Sequence, residues 1–543
     1  MDLPPRKTRA RTRRLLLAVL ALAASAATIV PAGAGAASVT ARPADSFVDS
    51  IGVNTHTYYN DTKYYQEFGT ITQRLKELGV RHVRENLVTD RPDQYRMLNQ
   101  LAAQGIKSTL ILGDPRGGSS ELGKLVSILD KDLRGSVAAI EGPNEWDLTA
   151  WGSDWMSTLA PYQAELWSRV KGTPSLAGLP VVGPSLGNTD SVGADISGAL
   201  EFGNLHSYPN AEPPEWNLSN HLKWATRMSG SKPVMATETG YHSAMSYSGG
   251  HRPASEAAEA VYLPRLFLEY YRRGIVRTFS YELLDEFSDP GKQDAESNFG
   301  LLRHDLSPKP AYTALQNLIA ICADPGGAAI NPGKLDYAIS GDQTELRQML
   351  LQKSDGSFYL ALWRAESVWD NKGMRALGAP SRTVKVSFPG GVAGAQEFAP
   401  NASAQPLRTL PGGESLAVDV GPQVVILKIG ATSGSQLGTI KVWVDERAVE
   451  TGDRVVVEGK MAGAASARKV KVQRWKRGSW KTVAKTSTRR DGRFKQRLRM
   501  SGSVGPSRIR AIADRAKPSN QVRVRVLARG GKAVAIGKAR KAA

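Results

Sequence analysis

The sequence has a single cysteine, Cys322, among 543 residues. One cysteine excludes an internal disulfide, so we expect packing to stabilise the fold and the thiol to be buried and inert. No segment beyond the first 37 residues approaches the ~20 consecutive apolar residues of a membrane-spanning helix. No cluster of His, Cys and Asp has the spacing of metal ligands, so the sequence predicts neither a metal site nor a cofactor.

The first 37 residues have the pattern of an export signal. A basic region from Arg6 to Arg14 precedes an apolar run from Leu15 to Ala24, and small residues follow up to Ala37. This order is typical of a secretory signal peptide cleaved near Ala36 or Ala37, through the Sec or the twin-arginine route. We therefore expect a secreted protein, free or associated with the cell wall, with an uncleaved membrane anchor as the alternative.

The net charge of +20 is concentrated at one end of the chain. Between Lys441 and Lys541 there are 29 Lys and Arg against 7 Asp and Glu, a balance of +22. The rest of the chain therefore carries −2, and a mildly acidic body precedes a strongly basic module.

Eight short apolar runs alternate with amphipathic stretches between residues 50 and 320. The predicted strands are Ser50–His56, Val80–Arg84, Lys107–Leu112, Val137–Ile140, Leu179–Pro184, Phe202–Leu205, Pro233–Thr237 and Ile275–Ser280. Eight strands alternating with helices over about 270 residues favour a closed (β/α)8 barrel. A doubly wound open sheet is the alternative, but the first strand ends in Asn54-Thr-His-Thr-Tyr58 and not in a Gly-rich phosphate loop.

Beyond Pro325 the helical periodicity ends, and short apolar runs are separated by Gly, Pro and Ser. These features predict an antiparallel β-domain and then a module of strictly alternating strands. We divide the chain into a signal peptide (1–37), a catalytic barrel (38–325), a β-sandwich (326–430), a linker (431–436), a basic immunoglobulin-like domain (437–528) and a disordered basic tail (529–543). The segment from Lys469 to Asp514 resembles immunoglobulin-like repeats appended to actinobacterial surface proteins.

Polar residues follow most of the predicted barrel strands, where the active site of such a barrel is found. They are His56 after strand 1, Arg84 on strand 2, Asn144 and Glu145 after strand 4, His206 and Tyr208 after strand 6, Glu238 after strand 7, and Tyr281 and Glu282 after strand 8. Two carboxylates across a barrel mouth suit glycosidic bond cleavage, because one can donate a proton while the other attacks the anomeric carbon.

Two short motifs make the likeness to a known group specific. Gly142-Pro-Asn-Glu-Trp146 and Ala236-Thr-Glu-Thr-Gly240 resemble the strand 4 and strand 7 signatures of the large retaining clan of glycoside hydrolases with (β/α)8 barrels. The resemblance implies that Glu145 is the acid/base, that Glu238 is the nucleophile and that Asn144 binds the substrate 2-hydroxyl. It further implies that Arg84 supports the nucleophile and that Tyr208, in a His-x-Tyr with His206, orients it.

The sequence departs from related cellulases and mannanases at two places. Strand 3 ends in Leu112-Gly-Asp-Pro115, without the usual histidine, and Tyr281 stands where a tryptophan platform is usual on strand 8. These departures bear on the substrate more than on the reaction. Trp146 is a candidate for stacking on sugar rings, with a role in the core as its alternative. Glu282, Asp285 and Glu286 are either substrate ligands or a solvated loop, and we assign Glu141 to a network inside the barrel.

The leading hypothesis is a secreted, monomeric retaining glycosidase acting on a polysaccharide or oligosaccharide. The alternatives are an inactive carbohydrate-binding or envelope-anchoring protein and a nucleic-acid binder. For the basic module we prefer an anionic cell-envelope polymer as partner over nucleic acid, with a solvated spacer as the alternative.

Overall fold

The computed structural model describes residues 36–150, 154–188, 191, 193–325, 330–430, 438–461, 469–476, 478–489, 492–501, 504–513 and 516–530. The export signal up to residue 35, the linker and the tail beyond residue 530 lie outside these residues, so their assignments stay predictions. Among the described helices, none combines the length and the apolar character needed to cross a bilayer.

The predicted (β/α)8 barrel is confirmed. Eight parallel strands follow one another around the sheet, and strand 1 pairs with both strand 2 and strand 8. A parallel bridge between Val182 and Phe202 joins strand 5 to the chain entering strand 6 and closes the cylinder. The strands are Ile51–Asn54, His82–Asn86, Lys107–Ile111, Val137–Glu141, Val181–Val182, Gly203–His206, Val234–Thr239 and Thr278–Ser280.

Helices cover the outside of the barrel and bury apolar side chains. Ile71, Leu75 and Leu78 are buried at helical spacing in one of them, and Gly79 ends that helix in the left-handed conformation that favours glycine. The outer helices are Lys63–Gln66, Phe68–Leu78, Pro92–Ala103, Gly118–Lys131, Trp155–Gly172, Leu218–Ser229, Glu256–Arg272 and Pro310–Cys322. Two short helices, Ala44–Asp49 and Trp146–Thr149, precede strand 1 and follow strand 4. Cys322 is buried, as predicted.

The β-domain is one eight-stranded, mostly antiparallel sheet. Its strands are Ala37–Thr40, Arg42–Pro43, Lys334–Gly341, Leu346–Gln352, Phe358–Arg364, Arg382–Ala399, Ser403–Val420 and Val425–Ile429. The long strand from Arg382 changes partner along its length, from Lys334–Gly341 to Val425–Ile429. A hairpin of Trp369–Asp370 and Arg375–Ala376 projects from the domain.

The chain before the barrel belongs to this sheet. Ala37–Thr40 pairs with Lys334–Tyr337, and Arg42–Pro43 pairs with Leu351–Gln352. The boundary at residue 38 therefore differs from the structure, in which the barrel begins after Pro43. The physical reason is that edge strands of the sheet offer unpaired backbone groups to an extended segment, whereas the sequence of that segment carries no mark of a distant partner.

The basic C-terminal module consists of two sheets around one apolar core. One sheet holds Gly438–Val444, Arg454–Met461, Arg493–Arg499 and Ala516–Lys517, and the other Ala448–Glu450, Lys469–Lys476, Ser479–Ser487, Gly505–Ala513 and Val522–Leu527. Buried side chains from both sheets, such as Val457 and Val524, form a single cluster. The module is thus a β-sandwich, and its likeness to the immunoglobulin topology stays a prediction.

Candidate active site

The polar residues predicted at the mouth of the barrel converge on one cleft. Arg84 lies at its centre and is almost completely buried. Its Nη1 donates to Glu238 Oε1 over 2.5 Å, and its Nη2 donates to Asn144 Oδ1 over 2.6 Å. Its Nε and Nη2 also donate to both oxygens of Glu141, over 2.8 and 2.7 Å. One guanidinium therefore links side chains from strands 2, 4 and 7.

Glu238 ends strand 7 and has a donor on each carboxylate oxygen. Arg84 donates to Oε1, and the hydroxyl of Tyr208 donates to Oε2 over 2.7 Å. Burial and the neighbouring charge of Glu238 raise the pKa of Tyr208 well above its ordinary value, so the phenol keeps its proton. The carboxylate is thus held in one orientation by a donor at each oxygen.

Glu145 lies across the cleft and is more open to solvent, with 27% of its side chain exposed. Its backbone has φ 44°, a left-handed conformation that is uncommon outside glycine and is found at functional sites. The amide of Glu145 donates to Ser185 Oγ over 3.1 Å, which fixes the backbone. Its Oε1 lies 2.7 Å from His206 Nδ1.

Glu145 and His206 are coupled through this hydrogen bond. Burial opposes ionisation of Glu145, but the hydrogen bond to His206 and the charges of His206 and Arg84 together lower the pKa of the carboxyl group. Burial likewise opposes protonation of His206, but the charge of Glu238 and the bond to Glu145 raise the pKa of the imidazole above 6.5. The lowered pKa of Glu145 and the raised pKa of His206 favour an ion pair in which one proton lies between the two side chains.

The two carboxylates lie close together. A carboxylate oxygen of Glu145, one of Glu238 and a ring nitrogen of His206 all lie within 4.8 Å of one another. The arrangement places two acidic groups with different partners on either side of a small space at the barrel mouth.

Glu141 lies beneath the cleft, fully buried. It pairs with Arg84 and accepts hydrogen bonds from Asn204 Nδ2 over 2.9 Å and from Thr237 Oγ1 over 3.0 Å. The assignment of Glu141 to a network inside the barrel is confirmed. The network prevents an unpaired buried charge and holds Arg84 in place.

Three residues that support the central side chains were not identified from the sequence. Ser185, Asn204 and Thr237 lie on strands 5, 6 and 7 or directly after them, and each contacts a residue of the centre. They are small polar residues inside otherwise apolar strands, and such residues are frequent in soluble proteins. Only the knowledge that their side chains point into the barrel would have distinguished them from other small polar residues.

His56 faces the strand 8 side of the cleft and joins two acidic residues. Its Nδ1 lies 2.6 Å from Glu286 and 3.1 Å from Glu282. Burial opposes its protonation, but the two carboxylates raise the pKa of His56 well above its ordinary value. Glu282 is fully buried and accepts from Tyr64 Oη over 2.8 Å. Full burial excludes the alternative that Glu282 lies in a solvated loop, and its assignment to substrate binding or support of the site stays a prediction.

Tyr281 lines the cleft between the two groups. Its ring lies 5.8 Å from His56 and 6.4 Å from Tyr208, centroid to centroid, and its hydroxyl donates to Glu296 over 3.0 Å. The Tyr281–Glu282 peptide bond is cis. Tyr281 therefore lies between His56 and Tyr208 at the mouth of the barrel, and its role as a sugar contact stays a prediction.

Trp146 does not line the cleft, and this corrects its assignment to substrate binding. Only 6% of the residue is exposed, its indole nitrogen donates to Thr158, and it packs with Leu159 and Met228. The physical reason is that Trp146 begins a helix directly after the left-handed Glu145, which turns the indole towards the outer helices. Its alternative role in the core is the one that the structure shows.

Another residue missed from the sequence is His251, on the loop after strand 7. Its ring lies edge-on to Tyr208, with centroids 5.2 Å apart. Burial lowers the pKa of His251, and the charge of Glu145 acts against this. The hairpin of the β-domain contacts the same loop, where Trp369 donates to Pro253 O over 3.0 Å.

Among the described residues, two groups of three side chains present potential metal ligands. They are Glu145, His206 and Glu238 at the cleft centre, and His56, Glu282 and Glu286 beside it. In both groups the histidine already lies at hydrogen-bond distance from a carboxylate, 2.7 and 2.6 Å away. A metal ion bound at about 2.0–2.2 Å would have to replace those hydrogens. The sequence prediction of no metal stays a prediction.

No protein-family model and no curated protein matches the sequence. Among solved structures, the glycoside hydrolase family 17 β-1,3-glucanosyltransferase from Rhizomucor miehei is similar to 49% of this chain over 97% of its own, with 20% identity and a TM-score of 0.39. A bacterial orthologue of human α-L-iduronidase matches 89% of this chain and 98% of its own, with 13% identity and a TM-score of 0.44. A β-D-glucuronidase of Dictyoglomus thermophilum matches 50% of each chain, with 13% identity and a TM-score of 0.34.

Proposed function

We propose that the protein is a retaining glycoside hydrolase in which Glu238 is the nucleophile and Glu145 the acid/base. The observation that carries the proposal is the approach of the two carboxylates to within 4.8 Å, oxygen to oxygen, from strands 4 and 7. Retaining glycosidases hold their carboxyl groups about 5–5.5 Å apart, whereas inverting ones leave about 6.5–9.5 Å for a water molecule. The short separation supports retention.

The different partners of the carboxylates support their different roles. Glu238 is held by Arg84 and Tyr208, which orient it towards the anomeric carbon without giving it a proton. Glu145 shares a proton with His206 and is the more exposed of the two, on the side where a leaving group departs. Glu238 then attacks while the pair of Glu145 and His206 delivers its proton to the departing oxygen.

The second half of the reaction uses the same residues. Once Glu238 is esterified, its negative charge is lost, and one of the charges that raise the pKa of His206 disappears. Glu145 is then an ionised base that takes a proton from water, and the water oxygen attacks the anomeric carbon and releases Glu238. Asn144 is oriented for a sugar hydroxyl, because Arg84 and Ser185 occupy its Oδ1 and leave its Nδ2 to donate.

We also infer that the protein is exported and acts on a polysaccharide or oligosaccharide outside the cell. The basic, apolar and small-residue segments of the first 37 residues support this inference. Expression of the full sequence in a secreting host should give a product that starts near residue 37 or 38, as read by N-terminal sequencing. A retained, full-length product would contradict the inference.

A polysaccharide panel with two active-site variants tests the enzymatic proposal. The wild type should release sugars with the anomeric configuration of the substrate, as followed by proton NMR. Glu238→Ala should lose about 10⁴-fold or more of the activity, and azide should rescue it by forming a glycosyl azide of inverted configuration. Glu145→Ala should keep activity on aryl glycosides with good leaving groups.

Glu165→Ala, which removes a carboxylate on the outer helix layer, is the control and should behave as wild type. Full activity of Glu238→Ala, or inversion by the wild type, would refute the assignment. Sugar binding without any turnover would favour the inactive carbohydrate-binding alternative.

A further inference from the structure

On one sheet face of the basic module, arginine guanidiniums lie over the rings of tryptophan side chains. In the sheet of Ala448–Glu450, Lys469–Lys476, Ser479–Ser487, Gly505–Ala513 and Val522–Leu527, the residues that point into the core are completely buried, such as Val472, Ile509 and Val524. Alternate residues point to the other face. That face carries what we name the arginine–tryptophan face: Trp475, Trp480, Arg508, Arg510 and Arg523.

The rings and guanidiniums of this face form a packed array. Trp475 and Trp480 are register partners with centroids 5.3 Å apart. Arg508 lies over Trp475, 4.5 Å from its centroid, and Arg510 lies over Trp480 at 4.3 Å. Arg510 Nε also donates to Gln473 over 2.9 Å. Stacking fixes the planes of the guanidiniums, so little rotamer entropy remains to be lost when a ligand binds.

The charge of the face is not compensated within the described residues. Arg508 lies directly opposite Arg523, and Lys471 lies opposite Lys485. Like charges in such cross-strand positions repel each other. None of these four cations, nor Arg510, forms an ion pair with a described residue. From Lys469 to Gly530 the sequence has 20 Lys and Arg against two acidic residues. An anionic partner would remove this repulsion.

We propose that the arginine–tryptophan face binds a carboxylate-bearing polysaccharide. Guanidinium forks match carboxylates by two parallel hydrogen bonds, and a linear polyuronate presents one carboxylate on every sugar. The array fits nucleic acid less well. Single strands are bound by free aromatic faces on which bases stack, and here guanidiniums cover the two indoles. Reading a duplex needs an element that enters a groove, and this face is a sheet surface.

The choice of a glycan over another polyanion rests on the proposed function of the barrel. The opposite sheet of the module is also basic, but there Glu458 forms an ion pair with Lys495 over 2.9 Å and accepts from Trp443. That sheet offers a matched control. Equal numbers of charges can be removed from either sheet of the same protein.

The test is binding of a fluorescein-labelled alginate oligosaccharide to the full chain carrying Glu238→Ala, measured by anisotropy at 0.15 M salt. Substitution of Arg508, Arg510 and Arg523 by Gln should weaken binding about tenfold or more, because each loses a charged hydrogen bond. Substitution of Lys441, Arg454 and Arg497 by Gln removes the same charge from the opposite sheet and should change affinity by less than about threefold. Equal losses in the two triple variants would overturn the proposal.

Three further arms keep the proposal open to refutation. Replacement of the three arginines by Lys keeps the charge, removes the fork and should still weaken binding; unchanged affinity would overturn the proposal. A neutral β-glucan should not compete, and duplex DNA competing better than alginate would also overturn it. Turnover by the wild type is measured separately, so failure of the glycosidase proposal and failure of this proposal are distinguishable.

If the triple Gln variant unfolds, Arg523→Gln alone is the variant to measure, because Arg523 lies at an exposed strand position.

Discussion

Tyr208 donates a 2.7 Å hydrogen bond to Glu238, and the two residues reach each other from neighbouring barrel strands. The pairing is not a register contact, because the strands shift between Leu205 and His206. The chain leaves the regular register at this point, and the Tyr208 hydroxyl lies next to the carboxylate of Glu238. The orientation of the proposed nucleophile therefore depends on a phenol three residues beyond the last regular pair.

We expect Tyr208→Phe to lower kcat/KM by about 10- to 100-fold, because a hydrogen bond to a charged group contributes about 1.5–3 kcal/mol. The ring stays and only the donor is lost, so the melting temperature should change little. Tyr312→Phe is the control, since its hydroxyl donates to Arg74 O on the outer helices, far from the carboxylates. Unchanged kcat/KM in Tyr208→Phe would show that Arg84 alone orients Glu238.

The second prediction concerns the proton shared by His206 and Glu145. In the wild type, kcat/KM should fall on the basic side of its pH profile when the His206–Glu145 pair loses its proton. This fall should lie above pH 6.5, because the pKa of His206 is raised. In His206→Asn the proton must reside on Glu145 alone, and activity should fall at lower pH than in the wild type. pH profiles of kcat/KM on an aryl glycoside measure the shift.

The control for that profile is His82→Asn. His82 begins strand 2 and pairs with Asp49 at 3.0 Å, at the opposite end of the barrel from the carboxylates. Its removal should leave the basic limb in place. A basic limb that does not move in His206→Asn would contradict the shared proton.

Much of the centre could be predicted from the sequence because a barrel fixes where strands end. Glu145 and Glu238 are candidates because of their positions after strands 4 and 7, while their roles rest on the family resemblance, and the structure brings their carboxylates together. Arg84 followed from the same reasoning and lies between them. In each case the short apolar run before the residue predicts the end of a strand, and closure of the sheet brings these strand ends together.

Other features of the structure could not be predicted from the sequence, for physical reasons. The indole of Trp146 turns to the core because the residue before it is left-handed, and no local pattern predicts a positive φ at a glutamate. In the described residues the fifth crossover has only the short 3-10 helix Ser197–Ala199. The pairing of Ala37–Thr40 with a distant strand is a tertiary contact with no local signal.

The third prediction concerns Glu141. Glu141→Ala should destabilise the protein by about 3–5 kcal/mol, because it leaves the buried Arg84 without its bidentate partner. Glu141→Gln keeps the shape and one acceptor oxygen, although its amide nitrogen can only donate, and it should destabilise the protein less than Glu141→Ala does. Urea unfolding followed by tryptophan fluorescence measures both. Glu67→Ala, at an exposed position, is the control, and equal stabilities of Glu141→Ala and the control would refute the role of the network.

The last prediction concerns Glu85, next to Arg84 on strand 2 but almost completely buried on the other side of that strand. Burial raises the pKa of Glu85 to about 7, although the charge of His56 and hydrogen bonds from Thr55 and Thr57 act against this. Because the pKa in the folded state lies above the ordinary value of 4.5, the folded protein binds more protons than the unfolded chain between these values. Its contribution to stability is therefore complete below pH 4.5 and is lost as pH rises through about 7.

Between pH 4.5 and 8 the wild type should lose about 3 kcal/mol of unfolding free energy through this group, at about 1.4 kcal/mol per pKa unit. Glu85→Gln stays neutral, still accepts from the Thr57 amide and should flatten the decline by that amount. Urea unfolding at pH 5 and pH 8 gives the difference for each protein, with Glu67→Gln as an exposed control that should follow the wild type. If the curves of wild type and Glu85→Gln ran parallel from pH 5 to 8, Glu85 would be ionised throughout, and the two threonine donors would outweigh burial.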